Sequence, residues 1–297
     1  MGALAFALIA AGSSGAYVAG IALQGSQSPC RPSTPSTPLP ATPRMPTLFV
    51  GHGNPMNAIE DTAYAREWAI IGEKLPTPKA VLCVSAHWMT RGVSLVHVGK
   101  KPKTIHDFGG FPAQLFAQQY PAPGSPDIAK ASIDLVRSTH LEPDSEWGLD
   151  HGAWSVLIRM FPKADIPVFQ LSLDLSKSLS QHFDLAREVK ALREKGVLII
   201  GGGNLVHNLG ALRPGAAPYD WAKEFDAKAD AMIEARDFAG IQNVEGWGRM
   251  TRLAHPSAEH FLPLVYSLGV ADPSETISPF NAAFDMASIS MRSYLFA

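Results

Sequence analysis

Four of the ten histidines in this chain stand where they could bind a metal ion, namely His52, His87, His207 and His260. The first three each follow a short apolar run, which is typical of a buried parallel strand. In open α/β sheets, ligands bind beyond the carboxyl ends of the strands, so these three imidazoles should converge. Converging neutral imidazoles suit a divalent transition metal. The pattern therefore predicts a metal site at the C-terminal ends of the strands.

The elements that must position these histidines alternate along the chain. The predicted strands cover residues 47–50, 80–85, 93–98, 168–173 and 197–200. The predicted helices cover 125–138, 179–195, 219–236 and 256–268, and the last presents His260 within its first two turns. This alternation predicts a single α/β domain with a mainly parallel central sheet flanked by helices. The strand at 93–98 follows its predecessor closely, so we predict that the two form a hairpin and that the sheet is mixed.

Two further motifs could do chemistry, and each has a plainer alternative. Asp150-His151-Gly152 precedes an apolar helix, and a histidine beside a carboxylate can transfer protons. Alternatively, Asp150 caps that helix and His151 lies at the surface. The segment 105–112 holds aromatic residues and paired glycines, which suit either a flexible lid over an aromatic substrate or a structured surface loop. Glu259 is interpreted as a charge at a helix amino terminus rather than as a metal ligand.

Composition limits the classes of function. The chain has 297 residues, 46% of them hydrophobic, and a formal net charge of -2. The near-neutral charge argues against a nucleic-acid-binding protein, which usually has a basic excess. Two cysteines indicate neither a disulfide framework nor a cysteine-based zinc site. His97, His140 and His182 stand in no motif of this kind and are predicted to lie at the surface.

The amino-terminal part of the chain differs from the rest. Residues 1–24 are apolar and uncharged, which suits a signal-peptide core or a weak membrane anchor, and a disordered extension is the alternative. Residues 25–44 are rich in Pro, Ser and Thr, as in an extended linker. We predict one folded domain over residues 45–297, in the cytoplasm, with an exported or membrane-anchored protein as the alternative. Any membrane contact would come through residues 1–24.

Seven motifs, in order along the predicted domain, resemble those of one family. They are Gly51-His52-Gly53-Asn54-Pro55-Met56-Asn57, Ser85-Ala86-His87-Trp88, Thr104-Ile105-His106-Asp107-Phe108-Gly109-Gly110-Phe111-Pro112, Tyr120-Pro121-Ala122-Pro123-Gly124-Ser125, Asp150-His151-Gly152, Gly203-Asn204-Leu205-Val206-His207-Asn208 and Glu259-His260. From about Met45 onward, the chain is similar to the 4,5-DOPA extradiol dioxygenase-like proteins of the class III extradiol ring-cleavage superfamily. That family usually has serine at the position of Asn54, and the resemblance does not cover residues 1–44.

The resemblance implies a metal ion at one edge of the sheet, with contacts from His52, His87, His207 and His260. Many ring-cleaving relatives bind Fe²⁺ through two histidines and a carboxylate, and here His260 takes the place of the carboxylate. His207 is then either a fourth ligand or an acid/base residue beside the metal. One divalent ion per chain is expected. It is either Fe²⁺, which supports activity, or Zn²⁺, which has no redox chemistry and should not activate O₂.

The reaction that the resemblance implies consumes a catechol and O₂, and DOPA-like catechols are the first candidates. Opening the ring beside the diol needs a base for a phenolic proton and an acid that helps the O–O bond to break. His207 and His151 are the candidates for these roles. Trp88, Phe108 and Trp154 are the candidates for walls around the aromatic ring.

Two other classes of function stay open at this point. A zinc hydrolase would need a general-base carboxylate near the metal, for which Asp150 and Glu259 are the only candidates. A non-catalytic member of the superfamily that binds a metal or ligand is the other alternative, although the presence of all four histidines weighs against it. The sequence does not determine the oligomeric state or which bond beside the diol is cut.

Overall fold

An eight-stranded mixed sheet organises the chain. The computed structural model describes residues 39–297. Its strands are β1 (Thr47–Gly51), β2 (Ala80–Thr90), β3 (Ser94–His97), β4 (Lys103–Thr104), β5 (Leu141–Asp144), β6 (Gly148–Leu149), β7 (Val168–Asp174), β8 (Val197–Gly203), β9 (Ile277–Phe280), β10 (Phe284–Asp285), β11 (Ile289–Ser290) and β12 (Ser293–Phe296). Its α-helices are α1 (Ala63–Lys74), α2 (Ala113–Phe116), α3 (Pro126–Leu135), α4 (His151–Met160), α5 (Leu179–Val189), α6 (Asp220–Glu234), α7 (Phe238–Gln242), α8 (Arg249–Ala254) and α9 (Leu262–Val270). Short 3-10 helices cover Pro55–Ala58, Lys190–Lys195, Leu209–Ala211 and Val244–Trp247.

The large sheet has the strand order β5-β3-β7-β2-β8-β1-β12-β9. Its four central strands, β7, β2, β8 and β1, run parallel to one another. Antiparallel pairs join β12 to β1 and β9 to β12 on one side, and β3 to β7 on the other. The predicted single α/β domain with a mainly parallel, mixed central sheet is therefore confirmed.

The predicted hairpin between β2 and β3 is wrong, because β7 lies between these two strands. Val84 of β2 pairs with Leu171 of β7, and Leu171 also pairs, on its other side, with Val96 of β3. After β3, the chain passes through α3, β5 and α4 before it forms β7. Closeness along the chain therefore did not decide which strand lies beside β2.

Apolar side chains are buried on both faces of the central strands. In β1, Leu48 and Val50 pack into the core that α1 and α4 share, whereas Phe49 packs into the core that α5, α6 and α9 share. Successive residues of a strand point to opposite faces, so a strand that is covered on both faces needs a continuous apolar run. This two-sided burial is the physical reason for the apolar runs that predicted the strands.

Three consecutive glycines belong to β8, which extends to Gly203 and not only to residue 200. A Cβ atom at Gly201 would clash with the carbonyl oxygen of Pro263, and a Cβ atom at Gly203 would clash with that of His260. Only glycine lets another backbone approach a strand so closely. The glycines therefore bring the segment that carries His260 directly onto the end of β8.

The predicted helix over residues 256–268 is wrong at its start, because α9 begins at Leu262. His260 lies in the turn before the helix and not in its first two turns. The carbonyl oxygen of His260 accepts the backbone N–H of Asn204 at 2.9 Å, so it is committed to the end of β8. Pro263 stands at the start of α9, where its missing N–H costs no helical hydrogen bond.

Residues 1–38, which include the apolar segment 1–24 and most of the predicted linker, lie outside the described residues. At the end of that linker, the backbone N–H of Thr42 donates to the carbonyl oxygen of Glu194 at 2.7 Å. Arg44 forms an ion pair of 3.0 Å with Asp272. Within residues 39–297, no helix has both the length and the apolar character that a membrane span requires.

A chain shortened to residues 39–297 should melt at the same temperature as the full chain, because residues 25–38 have the Pro-, Ser- and Thr-rich composition of an extended linker. A chain that begins at Met45 loses the Thr42 hydrogen bond and the Arg44 ion pair, together about 1 kcal/mol. Its melting temperature should fall by about 2–4 °C. Scanning calorimetry of the three chains measures both differences. A drop of several degrees on removing residues 1–38 alone would contradict the prediction.

Candidate metal centre and active site

Five histidines meet at the carboxyl ends of three neighbouring strands. His52 follows β1, His87 lies near the end of β2, and His207 follows β8. These strands are adjacent in the order β2-β8-β1. The turn before α9 adds His260, and the first residue of α4 adds His151. The ring centroids of the cluster lie close together, with the three pairs among His52, His87 and His260 between 5.0 and 5.4 Å apart.

His87 lies inside β2 and not after it, because the strand continues to Thr90 where the sequence predicted an end at Ser85. The pairing register between β2 and β7 shifts between Val84 and Met89. Irregularities of this kind re-aim side chains and are frequent next to active sites. The position of His87 within the irregular stretch accounts for a polar ligand in the middle of a strand.

The neighbours of His52 and His87 indicate which ring nitrogen carries a proton. Nδ1 of His52 lies 3.1 Å from the carbonyl oxygen of Gly53, which can only accept a hydrogen bond. Nδ1 of His87 lies 3.2 Å from a carboxylate oxygen of Asp107, whose negative charge favours a proton on that nitrogen. We therefore assign the proton of each neutral imidazole to Nδ1 and the lone pair to Nε2. The two Nε2 atoms are 3.3 Å apart, so two lone pairs face each other.

His260 contributes a third lone pair to the same place. Its Nδ1 lies 3.1 Å from Oε1 of Glu259, and its Nε2 is buried with no hydrogen-bond partner among the described residues. One ligand atom from each of His52, His87 and His260 lies within 4.8 Å of the others. Three converging lone pairs, each backed by an acceptor on the far side of its ring, are the usual arrangement around a protein-bound metal ion. These residues therefore fit a divalent cation.

Low pKa values keep these imidazoles in the neutral, metal-binding form. Burial, followed by the charges of neighbouring histidines, holds the pKa of His52, His87 and His260 well below the usual value for an imidazole. Burial, followed by the charges of His255 and His151, lowers the pKa of His207 to about 3. At neutral pH these side chains therefore offer lone pairs and not positive charges.

His207 stands beside the group of three and is not one of its members. Its ring lies parallel to that of His260, with ring centroids 3.4 Å apart and planes 7° apart. It shares a second possible metal-binding group with His260 and Glu259. Among the described residues, neither of its ring nitrogens has a hydrogen-bond partner. His207 is therefore free to bind a metal ion, a substrate or a proton.

His151 is a buried member of the cluster, with 6% of its surface exposed, so the surface alternative is wrong. Its ring centroid is 3.9 Å from that of His87 and 5.3 Å from that of His52. The side chain of Asp150 does not cap α4. It instead accepts hydrogen bonds from Ser85 and Gln170, at 2.5 and 2.8 Å. Through these bonds to β2 and β7, Asp150 links the start of α4 to the sheet, and His151 lies beside His87.

Asp107 is the site residue that the sequence analysis missed. One of its carboxylate oxygens lies 2.9 Å from Nδ1 of His151 and 3.2 Å from Nδ1 of His87. Burial alone would raise its pKa, but the hydrogen bonds and charge interactions with His151, and the charge interaction with His87, outweigh burial and lower the pKa to about 2. The only signal in the sequence was an acidic residue inside the segment 105–112, beside the paired glycines.

A comparison with known protein families decides which class this site belongs to. Residues 49–294 match the family described as the catalytic LigB subunit of aromatic ring-opening dioxygenase. The chain belongs to this family. It is therefore a non-heme, metal-dependent dioxygenase of the extradiol ring-cleaving type, and the resemblance that the sequence motifs indicated is confirmed.

Individual relatives align with most of the sequence of this dioxygenase. It is 43% identical to a 4,5-DOPA dioxygenase extradiol of Escherichia coli K12, over 84% of this chain and 94% of the relative. It is 37% identical to a 4,5-DOPA dioxygenase extradiol of Beta vulgaris, over 84% of this chain and 96% of the relative. The crystal structure of an uncharacterized Escherichia coli K12 protein is similar with a TM-score of 0.75 and 39% identity, covering 86% of this chain and all of that one.

The aromatic residues proposed as walls of the dioxygenase site have different surroundings. The ring of Phe108 is 5.5 Å from that of His151, at an angle of 79°, so Phe108 borders the cluster. Trp154 is fully buried, and its Nε1 donates to the carbonyl oxygen of Ile105 at 2.8 Å. Trp154 therefore supports the segment that carries Phe108.

Trp88 is not brought to the histidines of the dioxygenase. Its ring stacks on that of Trp147, with centroids 5.5 Å apart and planes 5° apart, and 3% of its surface is exposed. No ring contact links it to any of the clustered histidines among the described residues. The stacking on Trp147 places Trp88 beside another aromatic residue, and its role as a wall of the substrate site gains no support from these ring contacts.

Other predictions about single residues of the dioxygenase have different outcomes. His97 and His182, predicted at the surface, are buried, and Nδ1 of His182 lies 2.9 Å from the hydroxyl of Tyr266. His140 is exposed, as predicted, with 83% of its side-chain surface accessible. Asn54, where the family usually has serine, accepts the backbone N–H of Met56 at 3.0 Å and so caps the helix Pro55–Ala58. Serine makes the same kind of cap, so this departure preserves the local structure.

Proposed function

We propose that this dioxygenase opens the ring of a catechol with O₂, beside the diol, and that DOPA-like catechols are its substrate class. One observation carries the proposal: the Nε2 lone pairs of His52, His87 and His260 converge, and two further histidines lie beside them. The names of the similar proteins from Escherichia coli and Beta vulgaris support the choice of catechol.

His52, His87 and His260 would hold one Fe²⁺ ion, with His207 within reach as a fourth contact. When bound, Fe²⁺ supplies the redox chemistry that lets O₂ react with a catechol ring. Zn²⁺ fits the same nitrogen donors but has no accessible redox state. The same protein loaded with zinc is therefore expected to bind metal without turning over.

His151 and His207 are proposed to move the protons of the reaction. The Nδ1 proton of His151 is directed at Asp107, so its Nε2 is the acceptor that could take a phenolic proton. Within residues 39–297, no hydrogen bond fixes either ring nitrogen of His207, so it can accept a proton at one stage and donate it at another. Phe108 would pack against the aromatic ring and keep water away from this side.

A zinc hydrolase is less well supported, because the carboxylates that it would need are already engaged. Glu259 accepts from the ring of His260 and from the hydroxyl of Ser257. Asp150 is fully buried and accepts from Ser85 and Gln170. Asp150 is thus held away from the metal by bonds to the sheet, and Glu259 is oriented through Oε1 by the ring of His260.

Anaerobic loading with Fe²⁺, followed by an O₂-uptake screen over catechols, tests the proposed function. We expect O₂ consumption with DOPA-like catechols and a yellow, ring-opened semialdehyde as product. The zinc-loaded protein should consume no O₂ with the same compounds. If the reduced, fully iron-loaded protein consumes no O₂ with any catechol, the proposal is wrong and a binding role would replace it.

Replacing His207 by alanine should lower the turnover number by about 10²–10⁴-fold and change KM little if His207 moves protons. If it is mainly a ligand, the iron content should fall as well. Steady-state kinetics and metal analysis on the same preparation separate the two roles. His140→Ala, an exposed position, is the control that should change neither quantity. Full turnover in His207→Ala would exclude both roles.

A further inference from the structure

Asp107 contacts two histidines for which different roles are proposed, through hydrogen bonds to His151 and an ion-pair contact with His87. Its Oδ1 accepts the backbone N–H of His151 at 2.9 Å, and its Oδ2 lies 2.9 Å from the ring Nδ1 of the same residue. The same Oδ2 lies 3.2 Å from Nδ1 of His87. One carboxylate therefore reaches a proposed metal ligand, a proposed proton-transfer residue and the first turn of α4.

The carboxylate has a chemical consequence for both rings. An ionised carboxylate only accepts hydrogen bonds, so the ring of His151 must present an N–H at Nδ1. The negative charge 3.2 Å from Nδ1 of His87 favours a proton on that nitrogen as well. Each Nε2 then carries the lone pair. The two rings lie side by side, with centroids 3.9 Å apart. Without Asp107, either ring could carry its proton on Nε2 instead, where it could neither bind a metal ion nor accept a proton.

We infer that Asp107 is a positioning residue that sets the tautomers of His87 and His151 together, and thereby couples metal binding to proton transfer. The part that concerns proton transfer rests on the proposed function. The part that concerns His87 and the tautomers does not depend on it. Asp107 would touch neither metal nor substrate and would act only through the two rings.

The segment around Asp107 is held from three directions, so the carboxylate has a defined position. The backbone N–H of Ile105 donates to Leu149 at 2.8 Å, and its carbonyl oxygen accepts Nε1 of Trp154. A ring nitrogen of His106 lies 3.0 Å from the carbonyl oxygen of Gln118. The neighbouring Phe108 rests against His151. The carboxylate of Asp107, which orients His87 and His151, therefore comes from this loop and not from the sheet.

A purely structural role for Asp107 is the competing explanation, because Oδ1 also satisfies a backbone N–H at the start of α4. Asp107→Asn separates the two explanations. An asparagine can keep the oxygen that accepts the backbone N–H of His151, but it places a neutral NH₂ group where Oδ2 accepted from His151 and faced His87. The cap is retained, while the hydrogen bond to the ring of His151 and the negative charge beside His87 are lost. Asp107→Ala removes both.

The experiment compares wild type, Asp107→Asn, Asp107→Ala and Asp237→Asn, metal-free for the tautomers and with zinc for the affinity, and neither measurement needs turnover. Asp237 caps α7 from an exposed position and is the matched control. Nitrogen-15 NMR of the imidazoles in the metal-free proteins reports which ring nitrogen carries the proton, and competition with a chelator reports zinc affinity. For Asp107→Asn we expect a new signal from Nε2–H tautomers and zinc binding weaker by about 10–100-fold. The melting temperature of the metal-free protein should stay close to that of wild type.

Two results would overturn the inference. The first is an Asp107→Asn protein with wild-type imidazole signals and zinc affinity. The second is a loss of affinity in Asp107→Asn that comes with the same fall in melting temperature as in Asp107→Ala, which indicates a structural role. With iron, the turnover number of Asp107→Asn should fall further than its metal occupancy, with KM nearly unchanged. If wild type opens no catechol while the tautomer and affinity changes are found, the proposed function fails and the role of Asp107 in positioning stands.

Discussion

Replacing His52 or His87 by alanine should abolish stoichiometric metal binding. Each contributes one of three converging lone pairs, and their Nε2 atoms are only 3.3 Å apart. With either imidazole removed, two of the three converging donors are left with His207 beside them, and this incomplete set should not retain a divalent ion through dialysis. Metal content after exhaustive dialysis against a weak chelator, measured by plasma mass spectrometry, checks this result. Iron-dependent turnover should disappear together with the metal.

The control for this prediction is His140→Ala, which removes an imidazole that is exposed and far from any such group. It should leave one divalent ion per chain. Melting temperatures of the metal-free proteins would show whether a variant has lost its fold and not only its ligand. Unchanged metal content in the double variant His52→Ala/His87→Ala would refute the metal centre described above.

Replacing Arg193 by alanine should lower the free energy of unfolding by about 3–5 kcal/mol. Arg193 is fully buried and forms a bidentate ion pair with Glu275, whose surface is 9% exposed. It also donates to the carbonyl oxygens of Met45 and Val270, both at 2.7 Å. Alanine leaves a buried carboxylate without its cation and two carbonyl groups without a donor. Urea unfolding of the metal-free protein measures the loss.

Arg66→Ala is the matched control for Arg193. Arg66 pairs with Asp61 at 2.9 Å, but the two side chains are 56% and 82% exposed. Water screens an ion pair of this kind, so its removal should change stability by no more than about 0.5 kcal/mol. Equal effects of the two substitutions would mean that the buried network contributes no more than a surface pair.

The sequence alone predicted most of the sheet, because the signal for a buried strand is local. Continuous apolar runs located the five strands at 47–50, 80–85, 93–98, 168–173 and 197–200, and each is found with an end shifted by a few residues. The strand β12 was not predicted, although it lies directly beside β1. Its place depends on pairing between the two ends of the domain, and no short window of residues reports such pairing.

The convergence of His52, His87 and His207 was predictable for the same reason. Each follows or ends an apolar run, and parallel strands bring their carboxyl ends to one edge. His260 was selected correctly as an inward residue but was assigned to the wrong element. Its carbonyl oxygen is bound by Asn204, and that long-range hydrogen bond replaces the helical one.

The sequence by itself determined the fold class, the family and the histidines at the strand ends, since these follow from hydrophobic patterning and from motifs that are contiguous along the chain. Only the tertiary structure decided which groups stand behind those histidines. Asp107 arrives from a loop without periodicity, Trp154 turns inward to hold that loop, and Trp88 stacks on Trp147 away from the cluster. Hydrogen bonds and ring contacts between distant segments depend on side-chain directions in the folded chain, and spacing in the sequence does not encode those directions.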